Sequence, residues 1–282
     1  MDIGNRIHLH YVERGSGEPV IFIHGSLSDY TYWQDELTFF ANHYRAIAYS
    51  RRYDFPNHNA PRRGYSAVAD AGDLARFVRE LGLGRVHVVG HSYGALTGLF
   101  FASHHPDLLR SLVLAEPPAI PLLGHITGEQ ASLGAAMLAD IEEHLVPPLR
   151  RAFRTGDREG GIRLFLGYVR KDPQAWDRFS AQSKAEILRN AREWDVILSR
   201  GTLFPQIAPD TIRQIQTPTL LLSGAKSYPF LNLIDEELAR LLPHSHRIIL
   251  EGATHQMWYE RTAACREATL DLLRRSSETT AD

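Results

Sequence analysis

The chain has 282 residues, 44% hydrophobic and 23% charged, the balance of a soluble globular protein long enough to bury a core without metal or disulfide staples. Lys and Arg (31) nearly cancel Asp and Glu (33), which leaves no basic field for nucleic acid, and the single cysteine, Cys265, excludes a disulfide framework or a thiolate metal cage. No apolar run reaches membrane-spanning length and Met1 to Glu13 lacks the apolar stretch of a secretory signal, so a cytoplasmic protein with no membrane or nucleic-acid partner is expected.

In chain order, Ile7 to Val12 alternates polar and apolar residues and is expected to pair antiparallel at a sheet edge. Val20 to Ile23 and Arg45 to Tyr49 are short apolar runs, read as strands covered on both faces. Ala71, Leu74, Ala75, Val78 and Leu81 have the i, i+3, i+4, i+7 spacing of an amphipathic helix, with Gly82 as its stop. A strand at Val86 to Val89, a helix from Tyr93 to His105 closed by Pro106, and a strand at Ser111 to Ala115 follow. Thr219 to Leu222 and Arg247 to Leu250 are the last two strands, and Ala264, Cys265, Ala268 and Leu272 mark a terminal helix.

Strand and helix in alternation predict an α/β fold with a doubly wound, mostly parallel sheet. The alternation breaks between Pro117 and Pro209, where helical patterns run without a convincing strand over too long a span for a bare connection. We read 1–117 and 209–282 as the core and 118–208 as an inserted helical cap, its apolar surface supplied by Trp176, Phe179, Ile187, Trp194 and Ile197.

Gly90-His91-Ser92-Tyr93-Gly94 is a G-x-S-x-G run placed between a predicted strand and a predicted helix. A sharp turn there lifts the Ser92 hydroxyl clear of the sheet, and the free N–H groups of the new helix favour developing negative charge beside it. A serine hydroxyl needs a base. Of the 14 histidines, His255 alone follows the last strand in a loop beyond its carboxyl end, whereas His87 is within a strand and His104 and His105 end a helix. His24-Gly25-Ser26 follows the strand ending at Ile23, so the backbone N–H groups of Ser26 and Tyr93 are the expected oxyanion donors. The Tyr30-Thr31-Tyr32-Trp33 run, Trp176 and Trp194 are candidates to line an apolar pocket.

Elbow, His-Gly loop and terminal histidine, in that family's order, resemble the α/β-hydrolase-fold superfamily over residues 19–117 and 215–275. A serine at the elbow is unlike the haloalkane dehalogenase and epoxide hydrolase branches, which use a carboxylate there. The family's usual acid follows the penultimate strand, yet Gly224-Ala225-Lys226-Ser227-Tyr228-Pro229 contains none. Glu116, at the end of the strand after the serine, resembles the acid of vertebrate pancreatic lipases and of zearalenone-type lactone hydrolases. Glu116 is therefore the preferred triad acid, with Asp235 as its rival in a helix expected to face outward.

The resemblance implies a serine esterase or lactonase with a Ser92–His255–Glu116 triad, no metal and no cofactor, acting on a small apolar ester or lactone. Two other readings share the scaffold: a cofactor-free carbon–carbon hydrolase, oxygenase or cyclase, and a receptor-like ligand-binding protein with slow turnover.

Overall fold

The computed structural model describes residues 1–278, and within them a seven-stranded sheet carries the fold. The strands are β1 (Tyr11–Arg14), β2 (Pro19–Ile23), β3 (Arg45–Tyr49), β4 (Val86–His91), β5 (Leu109–Ala115), β6 (Thr219–Gly224) and β7 (Ser245–Leu250), in the spatial order β1-β3-β2-β4-β5-β6-β7. All neighbours are parallel except β1, which runs antiparallel to β3. Helices α1 (Gln34–Phe40), α2 (Ala67–Glu80) and α3 (Tyr93–His104) fill the early connections.

Burial divides the strands by parity, as a sheet covered on both faces requires. Ile21, Ile23, Ile47, Tyr49, Val88, Leu112 and Leu114 pack with Leu74 of α2 and Leu99 of α3. Val20, Phe22, Ala46, Ala48, Val89 and Val113 pack on the other face with Leu37 of α1. This is the doubly wound α/β sheet that the alternating pattern predicts.

The edge strand differs from expectation. Residues from Ile7 onward alternate because Ile7 and Leu9 are buried, but the His8 and His10 backbone N–H groups donate to the Asn59 and Asn57 side chains, each at 2.8 Å. Ladder pairing with β3 begins only at Tyr11, opposite Tyr49. Before that point residues 7–9 fold back on the first residues of the chain, with Asp2 bridged antiparallel to His8 and the Leu9 N–H donating to the Met1 carbonyl at 2.9 Å, so the alternation pairs locally and not with β3.

Between β5 and β6 the described residues form helices joined by loops, with no strand. A 3-10 stretch (Ile120–His125) leads into α4 (Ala131–Asp140), a π turn (Ile141–Leu145), α5 (Val146–Arg154), α6 (Arg158–Arg170), α7 (Ala181–Arg189), α8 (Arg192–Arg200) and α9 (Pro209–Arg213). The chain then returns through β6, α10 (Pro229–Leu241), β7, α11 (Met257–Glu260) and α12 (Thr262–Glu278). No described helix is long and apolar enough to cross a membrane.

Two ionic joints, the first wholly buried, tie the helical segment to the sheet. The Arg51 guanidinium, just past β3, faces Asp54, Asp70 and, from α8, Glu193, all inaccessible to solvent. Burial, partly offset by Arg51 and reinforced by Asp73 and Glu193, pushes the Asp70 carboxyl up to about 7. The second joint is Asp29, which accepts from Arg189 Nη2 at 2.7 Å and Asn190 Nδ2 at 2.9 Å. Breaking a wholly buried pair such as Arg51–Glu193 on one side typically costs about 3–5 kcal/mol, because the other charge is left uncompensated.

Candidate active site

Sheet register brings the chemistry-bearing loops to one edge. Ile23 lies opposite Gly90, His91 opposite Ala115, and Gly224 opposite Leu250. The residues that follow these strand ends are His24-Gly25-Ser26, Ser92, Glu116 and the loop carrying His255, all beyond the carboxyl ends of the parallel strands.

Ser92 sits at φ 54° and ψ −123°, between β4 and α3. A non-glycine residue in that region costs on the order of 1–3 kcal/mol and persists only where its surroundings enforce it. The enforcement is steric. A Cβ on Gly94 would stand 2.2 Å from the Ile23 carbonyl oxygen, and one on Gly90 would stand 2.5 Å from the Gly94 oxygen, so strand and helix can meet this closely only with glycine at both positions. The Ser92 N–H donates to the Ala115 carbonyl at 2.8 Å, pinning the turn to β5.

Glu116 also has a positive φ, 51°, and its side chain is fully buried. Its Oε1 accepts the Gly224 N–H at 2.7 Å, and its Oε2 accepts the Ser227 hydroxyl at 2.6 Å and the His255 ring at Nδ1, 2.5 Å away. A carboxylate at Nδ1 holds the proton there and leaves Nε2 as the acceptor of the neutral imidazole. Asp235 is elsewhere. It accepts from Ser223 Oγ at 2.6 Å and is 0% exposed, against the expectation of an outward-facing helix position. The reason is that α10 turns its Leu231, Ile234 and Leu238 stripe inward, and residue 235 falls on that stripe with Ser223 waiting as donor. Glu237 is buried too, whereas Glu236 is exposed.

Burial drives the Asp235 carboxyl well above its ordinary range; Ser223 and Arg247 oppose the shift and the Glu116 charge adds to it. The folded state thus keeps a proton that the unfolded chain releases, so stability falls as pH rises above the ordinary carboxylate range. Asp235→Asn removes that ionisation. Its urea midpoint relative to wild type should rise between pH 5 and pH 8, with kcat held within about threefold. An unchanged midpoint difference, or a kcat loss rivalling that of Glu116→Gln, would contradict this assignment.

Three histidines hold the loops, and burial keeps two of them, His24 and His91, neutral. His24 donates from Nδ1 to the Gly25 carbonyl (2.8 Å) and accepts the Arg51 N–H at Nε2 (3.0 Å); burial and the Arg51 charge push it down to about 3. His91 donates from Nε2 to the His255 carbonyl at 2.9 Å and stacks on Tyr32, and burial followed by the neighbouring His255 keeps it well below the usual imidazole range. His255 itself packs at 4.6 Å from His91 and 5.4 Å from the Tyr228 ring.

Ser92, His255, Gly25, Ser26 and Tyr93 line one cavity of about 620 Å³. Gly25 passes so close that an added Cβ would be 3.0 Å from Ser92 Cβ. Tyr93 is the first residue of α3, where the backbone N–H has no partner within the helix.

A model of the alpha/beta hydrolase family matches residues 20–268. The chain belongs to the alpha/beta hydrolase family. Among curated α/β hydrolase relatives, it is 35% identical to the 2-(acetamidomethylene)succinate hydrolase of Mesorhizobium japonicum, covering 90% of this chain and 87% of that one. It is 28% identical to the 2-hydroxy-6-oxo-6-(2'-aminophenyl)hexa-2,4-dienoic acid hydrolase of Metapseudomonas resinovorans, covering 97% and 90%. The enol-lactonase of Burkholderia xenovorans LB400 superposes with a TM-score of 0.73 at 19% identity, covering 96% of this chain and 98% of that one.

In this α/β hydrolase the cavity is apolar toward the helical segment, where Leu145, Leu149, Phe165, Leu166 and Trp194 face it. Of the predicted aromatics, Tyr32 and Trp194 line the cavity; Trp33 and Trp176 are instead fully buried core residues. Trp33 packs edge-on against Trp258, and Trp176 donates its indole N–H to Glu159 at 2.8 Å. Ser227 and Gly224, the donors to Glu116, were not anticipated. Their signal is the loop after β6, which lacks an acid and carries a hydroxyl in its place.

Proposed function

We propose that the protein is a serine hydrolase of apolar carboxylic esters or lactones, working through Ser92, His255 and Glu116. The reading rests on one arrangement: Glu116 occupies the Nδ1 face of His255 at 2.5 Å, while the imidazole shares a cavity wall with Ser92 at its strained turn.

His255 Nε2 takes the Ser92 proton as Oγ attacks the substrate carbonyl. The tetrahedral oxyanion is received by the backbone N–H groups of Ser26 and Tyr93, and loss of one such donor typically costs on the order of 10²–10³ in rate. The imidazolium, steadied by Glu116, gives its proton to the departing alkoxide, and the acyl group stays on Ser92. Water, deprotonated by His255, then clears the acyl-enzyme. No metal or organic cofactor enters these steps. Helices α4 to α8 act as a cap, held to the sheet by the Asp29 and Arg51 joints, and they keep bulk water from the acyl-enzyme. The apolar wall of the cavity is of a size suited to a small organic substrate.

The test is a panel of p-nitrophenyl esters and aryl-substituted lactones, read for turnover and for a burst of the first product. The expected result is saturable hydrolysis with burst kinetics for at least one member. A second reading, carbon–carbon bond hydrolysis, draws on the full-length likeness to the dienoic acid hydrolase. Turnover confined to 2-hydroxy-6-oxo-dienoates, with esters and lactones inert, would favour it over ours.

A further inference from the structure

Four charged side chains line the cavity, and three of them have polar partners that account for them. Arg189 is bound to Asp29 and stacks over Phe55 at 4.5 Å. Glu186 accepts from Gln182 Nε2 at 3.0 Å, and its charge, after that of Asp35, adds to the burial that raises the Tyr259 phenol. Arg170 is different. It ends α6, it is exposed, and among the described residues it has no ion pair.

Its guanidinium nonetheless stacks on the cavity wall. It lies over the Phe179 ring, 5.1 Å from the centroid, and near enough to the Tyr228 phenol for its charge to oppose the rise that burial imposes there. Both aromatics line the cavity, and Tyr228 packs against the His255 ring. A permanent positive charge therefore stands at the cavity wall beside Tyr228, the ring that packs on the His255 imidazole. The Tyr228 phenol, beside it in the cavity lining, carries an O–H that can donate to a ligand. Guanidinium and phenol together present donors suited to a carboxylate, and charge-assisted bonds of this kind are about twice as strong as neutral ones.

We propose that Arg170, with Tyr228, recognises an anionic group on the substrate, which makes the preferred substrates carboxylate-bearing esters or lactones with an apolar body. The assignment of the bond that is cut rests on the hydrolase reading above; recognition of the anion does not. Orientation follows from the cavity's charges. The apolar body fills the wall made by Leu149, Leu166 and Trp194, the anion is drawn to Arg170, and Glu186 repels it from the Tyr259 side.

The test measures binding and hydrolysis separately on the full chain. Calorimetric titration compares 6-phenylhexanoate with 6-phenylhexanamide, ligands that share a body and differ in charge. The anion is expected to bind about tenfold more tightly than the amide, with the ratio falling toward one in Arg170→Met and recovering in part in Arg170→Lys. Arg163→Met, on the same helix but paired outward with Asp177, should keep the wild-type ratio. In the hydrolysis arm, mono-p-nitrophenyl adipate should show a lower KM than p-nitrophenyl hexanoate, and Arg170→Met should erase that difference. Ester turnover without anion preference, equal ratios in wild type and Arg170→Met, or no binding of either ligand overturns the proposal. Anion preference lost in Arg170→Met while neither ester is cut upholds it and overturns the hydrolase reading instead.

Discussion

Ser92→Ala is expected to lower kcat on a p-nitrophenyl ester by about 10⁶ while leaving KM within a few-fold of wild type. The alanine removes the only atom that forms the covalent bond, yet it fills nearly the same volume at φ 54°, so the elbow, the α3 terminus and the cavity stay in place. What survives is the rate due to binding and to the Ser26 and Tyr93 N–H groups. Steady-state kinetics with circular dichroism on the same preparation check this; a loss below about a hundredfold would mean that the hydroxyl is not the nucleophile.

Glu116→Gln is expected to cost about 10⁴ in kcat. The side chains are nearly isosteric, so the effect comes from protons rather than packing. Both carboxylate oxygens are acceptors here, for Gly224 N–H, Ser227 O–H and His255 Nδ1. A glutamine must turn one end into a donor. If the amide nitrogen faces Nδ1, the imidazole proton moves to Nε2 and the ring can no longer accept from Ser92. If it faces Gly224, two donors oppose each other in a buried site, at a cost of about 1–3 kcal/mol. Comparing kcat for Glu116→Gln and Asp235→Asn under identical conditions separates the two acids: the first should fall by four decades, the second should barely move.

How far the chain could be read without coordinates follows from how local each device is. The Gly90-to-Gly94 turn is enforced by contacts within a few residues and with the adjacent strand, so five letters between a strand and a helix suffice to expect it. Glu116 was accessible because parallel register carries the end of β5 beside the end of β4. Asp235 was misplaced for the opposite reason. A carboxylate among leucines in an amphipathic helix gives no hint of the Ser223 hydroxyl on a separate strand that makes its burial tolerable. The same holds for Ser227, for His91 beneath the His255 loop, and for Arg51 facing Glu193 from a distant helix. Each acts through a partner far away in sequence. The first residues of the chain show a further limit: burial alternated there, but Asn57 and Asn59 claimed the backbone donors that a strand would have used.

The most direct measurement is active-site labelling with a fluorophosphonate, read by intact mass and peptide mapping in wild type, Ser92→Ala and Glu116→Gln. The arrangement described here predicts one adduct per chain, on Ser92, absent from the alanine variant and formed far more slowly in the glutamine variant. An adduct on another residue, or equal labelling rates in wild type and Glu116→Gln, would contradict it.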